Sequence, residues 1–281
     1  MIRERFAPSP TGLLHLGHGF SALTAFEAAR SVGGEFLLRI EDIDRTRCRT
    51  EYEDAIYEDL KWLGISWITP VMRQSHRMAA YQAALSQLTE LGLTYPCRCT
   101  RKDIKAALSA PQEGGEPRMG PDGTVYPGNC RGRSMADKGP NDAVRLNMGA
   151  AITYLGGVEK LSYQEIGKGV VTFTATQLQE ACGDIVLARK DIGTSYHLAV
   201  VVDDAAQKIT HVTRGHDMAS TTPIHRLLQA LLDLPTPLYR HHRLIRDENG
   251  KRLAKRHDAM ALRSYRAGGK TPQDLRKWLK L

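Results

Sequence analysis

The chain has 281 residues, 42% hydrophobic and 25% charged, a balance that suits one large or two moderate soluble domains. No apolar run approaches the roughly 18–20 residues of a membrane span, and the N-terminus carries no secretory h-region, so a cytoplasmic protein is expected. The net charge of +8, densest between Arg240 and Arg276, suits an anionic partner such as nucleotide or nucleic acid, although the basic stretch would also serve as a solvated tail.

Residues 2–6 read as a strand, followed by a loop and a helix over about 17–29. The segment EFLLRIEDID (35–44) is an apolar run ending in carboxylates and reads as a second strand. A helix follows with Tyr52, Ile56, Leu60 and Leu63 on one face. Another follows Ser75, with Met78, Tyr81, Leu85 and Leu88 in one stripe and Gly92 as its stop. From Pro96 to about Pro140 the chain is aperiodic and rich in Gly and Pro, as expected of a loop or a small insert. Residues 143–176 read as short strands and turns.

The unbroken apolar run SYHLAVVVDDA (195–205) predicts a buried parallel strand ending in two aspartates. ITHVTRGHDM (209–218) predicts a shorter strand running into a loop. Thr222 as N-cap with Pro223 in the first position predicts a helix striped by Ile224, Leu227, Leu228 and Leu231. Strand–helix alternation at both ends of an irregular middle predicts an α/β fold, a parallel sheet interrupted by an insertion.

Chemistry concentrates in three places. RFAPSPTGLLHLGH (5–18) follows the first strand, where open α/β sheets bind ligands. His15 and His18, three apart at a helix entry, present imidazole N–H groups suited to charge developing on an α-phosphate, and Gly17 lets a base or ribose approach the backbone. An isolated pair of this spacing would more often be ordinary surface; the preceding Pro-Ser-Pro-Thr-Gly reverses that balance. The cysteines are Cys48, Cys97, Cys99, Cys130 and Cys182, and the odd number and the Cys-x-Cys pair favour a metal over disulfides. Tetrahedral zinc needs four ligands. Tyr126 is the candidate beside Cys97, Cys99 and Cys130, with Asp122 or water left open; Cys48 and Cys182 are assigned to packing. Third, RLAKR (252–256) is a basic loop after RDENG.

Together these segments resemble the class I glutamyl- and glutaminyl-tRNA synthetases. The HIGH motif reads His15-Leu16-Gly17-His18, RIEDIDRTR, SYHLAVVVDDA and ITHVTRGHDM follow in the family's order, and RLAKR stands for KMSKS. The resemblance implies a Rossmann-type parallel sheet in two halves, 1–92 and 188–240. It also implies an inserted acceptor-type domain at 93–187 and a KMSKS-like loop with a short helical segment at 241–281. It implies ATP binding by Pro8, His15, Gly17, His18, Arg252 and Lys255, with Mg²⁺ accompanying ATP and His15, His18 and Lys255 as catalytic groups. Ala254 and Arg256 depart from the motif, leaving loop closure and rate open.

The resemblance further places glutamate against Arg5, Phe6, Ala7, Pro8, Ser9, Glu41, Tyr196 and Arg214. Arg5 and Arg214 suit its two carboxylates, and Glu41 and Tyr196 its ammonium. Glutamine would leave an arginine facing an uncharged amide, so glutamate is preferred. In this family a tyrosine placed like Tyr126 completes a structural zinc site. Little chain follows Arg256, enough for one or two short helices and no anticodon-binding domain. That matches the family's stand-alone branch, which activates glutamate without tRNA and esterifies it onto queuosine in the anticodon loop of tRNA-Asp. The expected partners are therefore ATP, L-glutamate and tRNA-Asp, with the chain acting as a monomer. The competing expectations are a synthetase charging tRNA-Glu, an idle synthetase-like protein binding glutamate or RNA, and, more weakly, another HIGH-type nucleotidyltransferase.

Overall fold

Strand β1 (Arg3–Phe6) is mostly buried, and it pairs in parallel with β2 (Glu35–Ile40), which pairs in parallel with β3 (Ile68–Arg73). The structure is a computed structural model that describes residues 1–109, 118–156, 161–245 and 260–281. Helix α1 (Leu16–Arg30) joins β1 to β2, and its N-cap is His15. The predicted helix at 17–29 is therefore present, with one of the two candidate histidines acting as its cap. Helix α2 (Thr50–Trp62) carries the expected apolar face, with Ile56 and Leu60 fully buried. Helix α3 (Met78–Glu90) ends at Gly92, whose φ of +71° is the left-handed conformation that closes a helix.

The middle of the chain is more ordered than its composition predicts. Strand β4 (Thr94–Cys97) pairs antiparallel with β7 (Ala143–Leu146), which pairs with β10 (Val186–Ala188). Between them lie α4 (Arg101–Ser109) and the small hairpin β5 (Met119–Gly120) and β6 (Gly123–Thr124). Residues 143–176, expected as strands and turns, also contain α5 (Met148–Tyr154) and the start of α6 (Ala175–Ala181). The Thr174 and Asn147 side chains cap these helices by accepting from Gln177 N and Ala150 N. The hairpin β8 (Leu161–Glu165) and β9 (Gly169–Phe173) returns to the parallel part, where β8 pairs with β12 (Leu238–His242) and β12 with β11 (His211–Gly215). Strands β11 and β1 run side by side, tied by Thr210 N donating to Arg3 O at 3.0 Å.

SYHLAVVVDDA is not a strand. Residues Tyr196–Ala206 form helix α7, capped by Ser195. Leu198, Ala199, Val200, Val201, Asp203 and Asp204 are all buried, so the helix faces protein on nearly every side. A helix buried all round shows no 3.6-residue period, and a continuous apolar run cannot by itself be told from a buried strand. Helix α8 (Thr222–Leu231) begins one residue earlier than expected: Thr221 is its N-cap, and Thr222 O–H is a partner of Arg214. Its stripe of Ile224, Leu227, Leu228 and Leu231 is buried as predicted.

The described part of the basic end after residue 259 is not a solvated tail. Helices α9 (Leu262–Ala267) and α10 (Pro272–Leu279) send Leu262, Leu275 and Leu279 into the core formed by α1, β1, β2 and α2. Leu262 N donates to Leu14 O at 2.8 Å, and Ala261 bridges His15. Arg266 and Arg276 pair with Glu58 and Glu27. A larger second core lies among α3, α5, α6, α7, α8 and the strands between them, and a small third one surrounds Cys97, Tyr126 and Cys130.

Candidate active site and metal centre

A cavity of about 350 Å³ opens beyond the carboxyl ends of β1, β2 and β11, where ligands of parallel sheets bind. Arg5, Phe6, Ala7, Pro8, Ser9, His15, Gly17, His18, Glu41, Tyr196 and Arg214 all line it. Eleven residues read from the sequence thus converge on one space. The KMSKS-like loop, with Arg252, Ala254, Lys255 and Arg256, lies outside the described residues. The chain on either side of it reaches the cavity: Leu244 and Ile245 line the wall, and Ala261 bridges His15.

Where α1 begins at the cavity, His15 Nδ1 accepts from Gly17 N at 3.1 Å, and His18 Nδ1 accepts from His15 N at 3.2 Å. The rings stack with centroids 3.8 Å apart. Because both Nδ1 atoms accept from backbone N–H groups, the neutral imidazoles carry their protons on Nε2. The capping bonds thereby fix ring orientation and tautomer together. N–H donors at a helix N-terminus are of the kind that suits a phosphate oxygen.

On the β1–β2 side of the cavity, Arg5 is clamped by Asp204, with Nε and Nη2 3.1 and 3.3 Å from its two oxygens. Arg39 Nη1 reaches the same carboxylate at 2.7 Å, and Arg39 Nη2 donates to Glu41 at 3.1 Å. Burial alone would raise the Asp204 carboxyl, but Arg5 and Arg39 hold it below the usual carboxylate range. For Glu41 burial wins, and its pKa is raised despite Arg39 and Arg5. Arg214 is held differently. It donates to Thr222 Oγ1 at 2.7 Å, to His225 Nδ1 at 3.2 Å and to His241 Nε2 at 3.2 Å, and its guanidinium lies over the Tyr239 ring. Among the described residues it has no carboxylate partner.

Sequence reasoning missed Arg39 and Asp204, which hold Arg5 and Glu41. Arg39 was legible, since residues two apart on a strand share a face and Glu41 was already chosen. Asp204 was not, because its placement depends on α7 being a helix. The cavity wall also includes Thr213, Asp217, His242 and Arg243, for which the sequence offered no separate signal.

The metal-type cluster is compact. The Sγ atoms of Cys97, Cys99 and Cys130 all lie within 4.8 Å of one another, and Cys99 and Cys130 are 3.5 Å apart. Tyr126 Oη stands 3.4 and 3.3 Å from the sulfurs of Cys97 and Cys99. These separations suit tetrahedral ligands, for which Zn–S bonds of ~2.3 Å give S···S near ~3.8 Å. The Arg145 guanidinium lies 3.9 Å over the Tyr126 ring, but burial first, and then the hydrogen bonds to the three cysteines, hold the Tyr126 phenol well above its ordinary pKa, so it is neutral here. Burial pushes the Cys99 thiol up to about 11. Burial also acts on Cys130, but hydrogen bonds from Tyr126, the Arg98 backbone and the neighbouring thiols outweigh it and bring it to about 7. The three cysteines are able to hold a metal ion, and Tyr126 offers the fourth donor. Asp122, the alternative ligand, is engaged with His197 instead, at 2.8 Å. Cys182 packs against the second core.

Comparison with known proteins agrees with this architecture. The family model for class I tRNA synthetases (E and Q), catalytic domain, matches residues 1–281. A glutamyl-Q tRNA(Asp) synthetase of Rhodobacter capsulatus is 52% identical, with 99% of each chain covered. A glutamate–tRNA ligase of Nitratidesulfovibrio vulgaris is 39% identical over 99% of this chain and 56% of its own. The crystal structure of a glutamate tRNA ligase from Elizabethkingia meningosepticum, in complex with its amino acid, superposes with a TM-score of 0.71 at 27% identity. The match covers 91% of this chain and 52% of that one, so the chain spans about half of the longer ligases. No helix among the described residues is long and apolar enough to cross a membrane. The chain belongs to the family of class I tRNA synthetase catalytic domains specific for glutamate and glutamine.

Proposed function

We propose that this enzyme activates L-glutamate with ATP, without tRNA, and then transfers it to queuosine in the anticodon loop of tRNA-Asp. The observation that carries the first step is the polarity of the cavity: His15 and His18 line its nucleotide end, and Arg214, Glu41 and Tyr196 its acid end. The second step rests on the 52% identity, over nearly the whole of both chains, to a protein named for that transfer.

In the first step an α-carboxylate oxygen of glutamate forms a bond to the α-phosphorus of ATP, and the bond to the pyrophosphate oxygen breaks. His15 and His18 donate from Nε2 to the charge developing on the phosphates. Lys255 and Arg252 add cations, and ATP enters as its Mg²⁺ complex. Positioning and electrostatics suffice, with no covalent enzyme intermediate. Arg214 takes a substrate carboxylate, and Glu41 and Tyr196 take the ammonium. Arg5, Phe6, Ala7, Pro8 and Ser9 complete the wall. In the second step a hydroxyl of the cyclopentene ring attacks the mixed anhydride and releases AMP.

Cys97, Cys99, Cys130 and Tyr126 would hold zinc in a structural role, stapling a Gly- and Pro-rich segment that has little core of its own. Elemental analysis should find one zinc per chain, and Cys130→Ser should lower that content.

The reading is tested with labelled glutamate and two tRNA-Asp preparations, with and without queuosine. Label should enter only the queuosine-containing tRNA and should survive removal of the 3′-terminal adenosine. Label on the 3′ end of tRNA-Glu would instead make the chain an ordinary charging enzyme.

A further inference from the structure

Arg214 stands at the centre of a hydrogen-bond chain that crosses six elements and ends in a carboxylate on each side. On one arm, Arg214 donates to His241 Nε2, and His241 Nδ1 lies 2.7 Å from the buried Glu165 of β8. On the other, it donates to His225 Nδ1, His225 Nε2 lies 3.1 Å from His197 Nδ1, and His197 Nε2 lies 2.8 Å from Asp122 in the β5–β6 turn.

The direction of every proton follows from chemistry. A guanidinium has only donors, so His225 Nδ1 and His241 Nε2 must be bare. Neutral His225 then carries its proton on Nε2 and donates it to His197 Nδ1. His197 in turn carries its proton on Nε2 and donates to Asp122. On the shorter arm His241 carries its proton on Nδ1 and donates to Glu165. The carboxylates, which only accept, independently demand the same direction at both ends. His197 and His225 are almost wholly inside the protein, with 3% and 2% exposure. Burial first, and then the Arg214 charge, holds His225 well below its ordinary pKa, which keeps it an acceptor.

We propose that His225, His197 and Asp122 are positioning residues for the substrate carboxylate: they aim Arg214 through neutral acceptors and so leave its charge unmatched for the incoming acid. A carboxylate in the place of His225 would aim Arg214 equally well but would neutralise it. The same arm ties the insertion, through the exposed Asp122, to the acid end of the cavity. The inference rests on the reading of Arg214 as the glutamate-binding arginine.

The test has two arms, both on the full chain. In the first, glutamate-dependent ATP–pyrophosphate exchange is measured for wild type, His225→Leu, His225→Asn, Asp122→Ala and Asp122→Asn. His225→Leu should raise KM for glutamate at least tenfold and leave KM for ATP within twofold. His225→Asn, whose amide oxygen can still accept from Arg214, should recover most of that loss. Asp122→Ala should raise the glutamate KM about threefold to tenfold, and Asp122→Asn should restore it. An unchanged glutamate KM in His225→Leu, or equal increases for glutamate and ATP, would overturn the proposal.

The second arm needs no activity. Long-range ¹H–¹⁵N histidine spectra of the wild-type protein at pH 7 should show His225 and His197 protonated on Nε2 and His241 on Nδ1. A proton on His225 Nδ1 would overturn the network outright. If wild type itself shows no exchange, the glutamate reading has failed, and the network stands or falls on the spectra alone.

Discussion

Arg5 and Arg214 face one cavity from two sides, and the protein holds them in opposite ways. On the β1–β2 side, Arg5 shares the Asp204 carboxylate with Arg39, so its charge is matched inside the protein before any ligand arrives. On the β11–β12 side, Arg214 is fixed by a hydroxyl and two imidazoles, all neutral. The difference teaches that residue type and cavity position do not define a role. A buried guanidinium with a carboxylate partner works first as a structural tie, whereas one held by neutral acceptors retains its charge for a substrate. The two arginines that looked equivalent in sequence are therefore expected to fail in different assays.

The sharpest contrast is at Arg214. Arg214→Leu should lower kcat/KM for glutamate in pyrophosphate exchange by roughly 10³, from about 4 kcal/mol of lost charge-assisted pairing. Its melting temperature should stay close to wild type in differential scanning fluorimetry.

Arg5→Leu should show the reverse emphasis. It leaves Asp204 with Arg39 alone, and breaking half of a buried pair costs about 3 kcal/mol. At ~2–4 °C per kcal/mol for a chain of this order, melting should fall by about 6–12 °C. A stable Arg5→Leu protein that has lost glutamate binding would erase the distinction.

The start of α1 offers a smaller, cleaner separation of structure from the proposed chemistry. His15 both caps α1 and lines the cavity. Asparagine is also a good N-cap, so His15→Asn should melt near the wild-type temperature while kcat falls about 10²-fold. His15→Ala should lose the same rate and about 1 kcal/mol of stability besides. Urea denaturation of both variants beside exchange rates decides this.

The mildest effect is on pH. Burial and Arg214 together hold His241 down to about 4, against the pull of Glu165, and His225 is depressed as well. Between about pH 6.5 and 4 the unfolded chain binds protons at these positions that the native protein does not. Stability contributed by the neutral histidines is thus fully present above pH 6.5 and is lost as pH falls toward 4. The urea midpoint should therefore drop on going from pH 7 to 5.

Part of this site was legible from its residues, and part from the family they resemble. His15 and His18 stand at a helix entry just after the first strand, where ligands of parallel sheets bind, whereas Arg5 and Glu41 were named through the family resemblance; all four line the one cavity. Tyr196, named through the family resemblance, lines the cavity wall although α7 was read as a strand. What could not be read was how Asp204 and the histidines meet. His197, His225 and His241 are 28 and 16 residues apart in the chain and come from α7, α8 and β12. Their meeting depends on tertiary packing that no local pattern encodes. After the basic loop, the one or two short helices expected there are present as α9 and α10, and the burial of Leu262, Leu275 and Leu279 decides against the solvated tail left open for this part of the chain.

The central claim is tested most directly by ATP–pyrophosphate exchange with glutamate in the complete absence of tRNA, with glutamine and aspartate run beside it. Exchange with glutamate alone is the predicted result. Exchange that appears only after tRNA is added, or that runs equally well with glutamine, would contradict it.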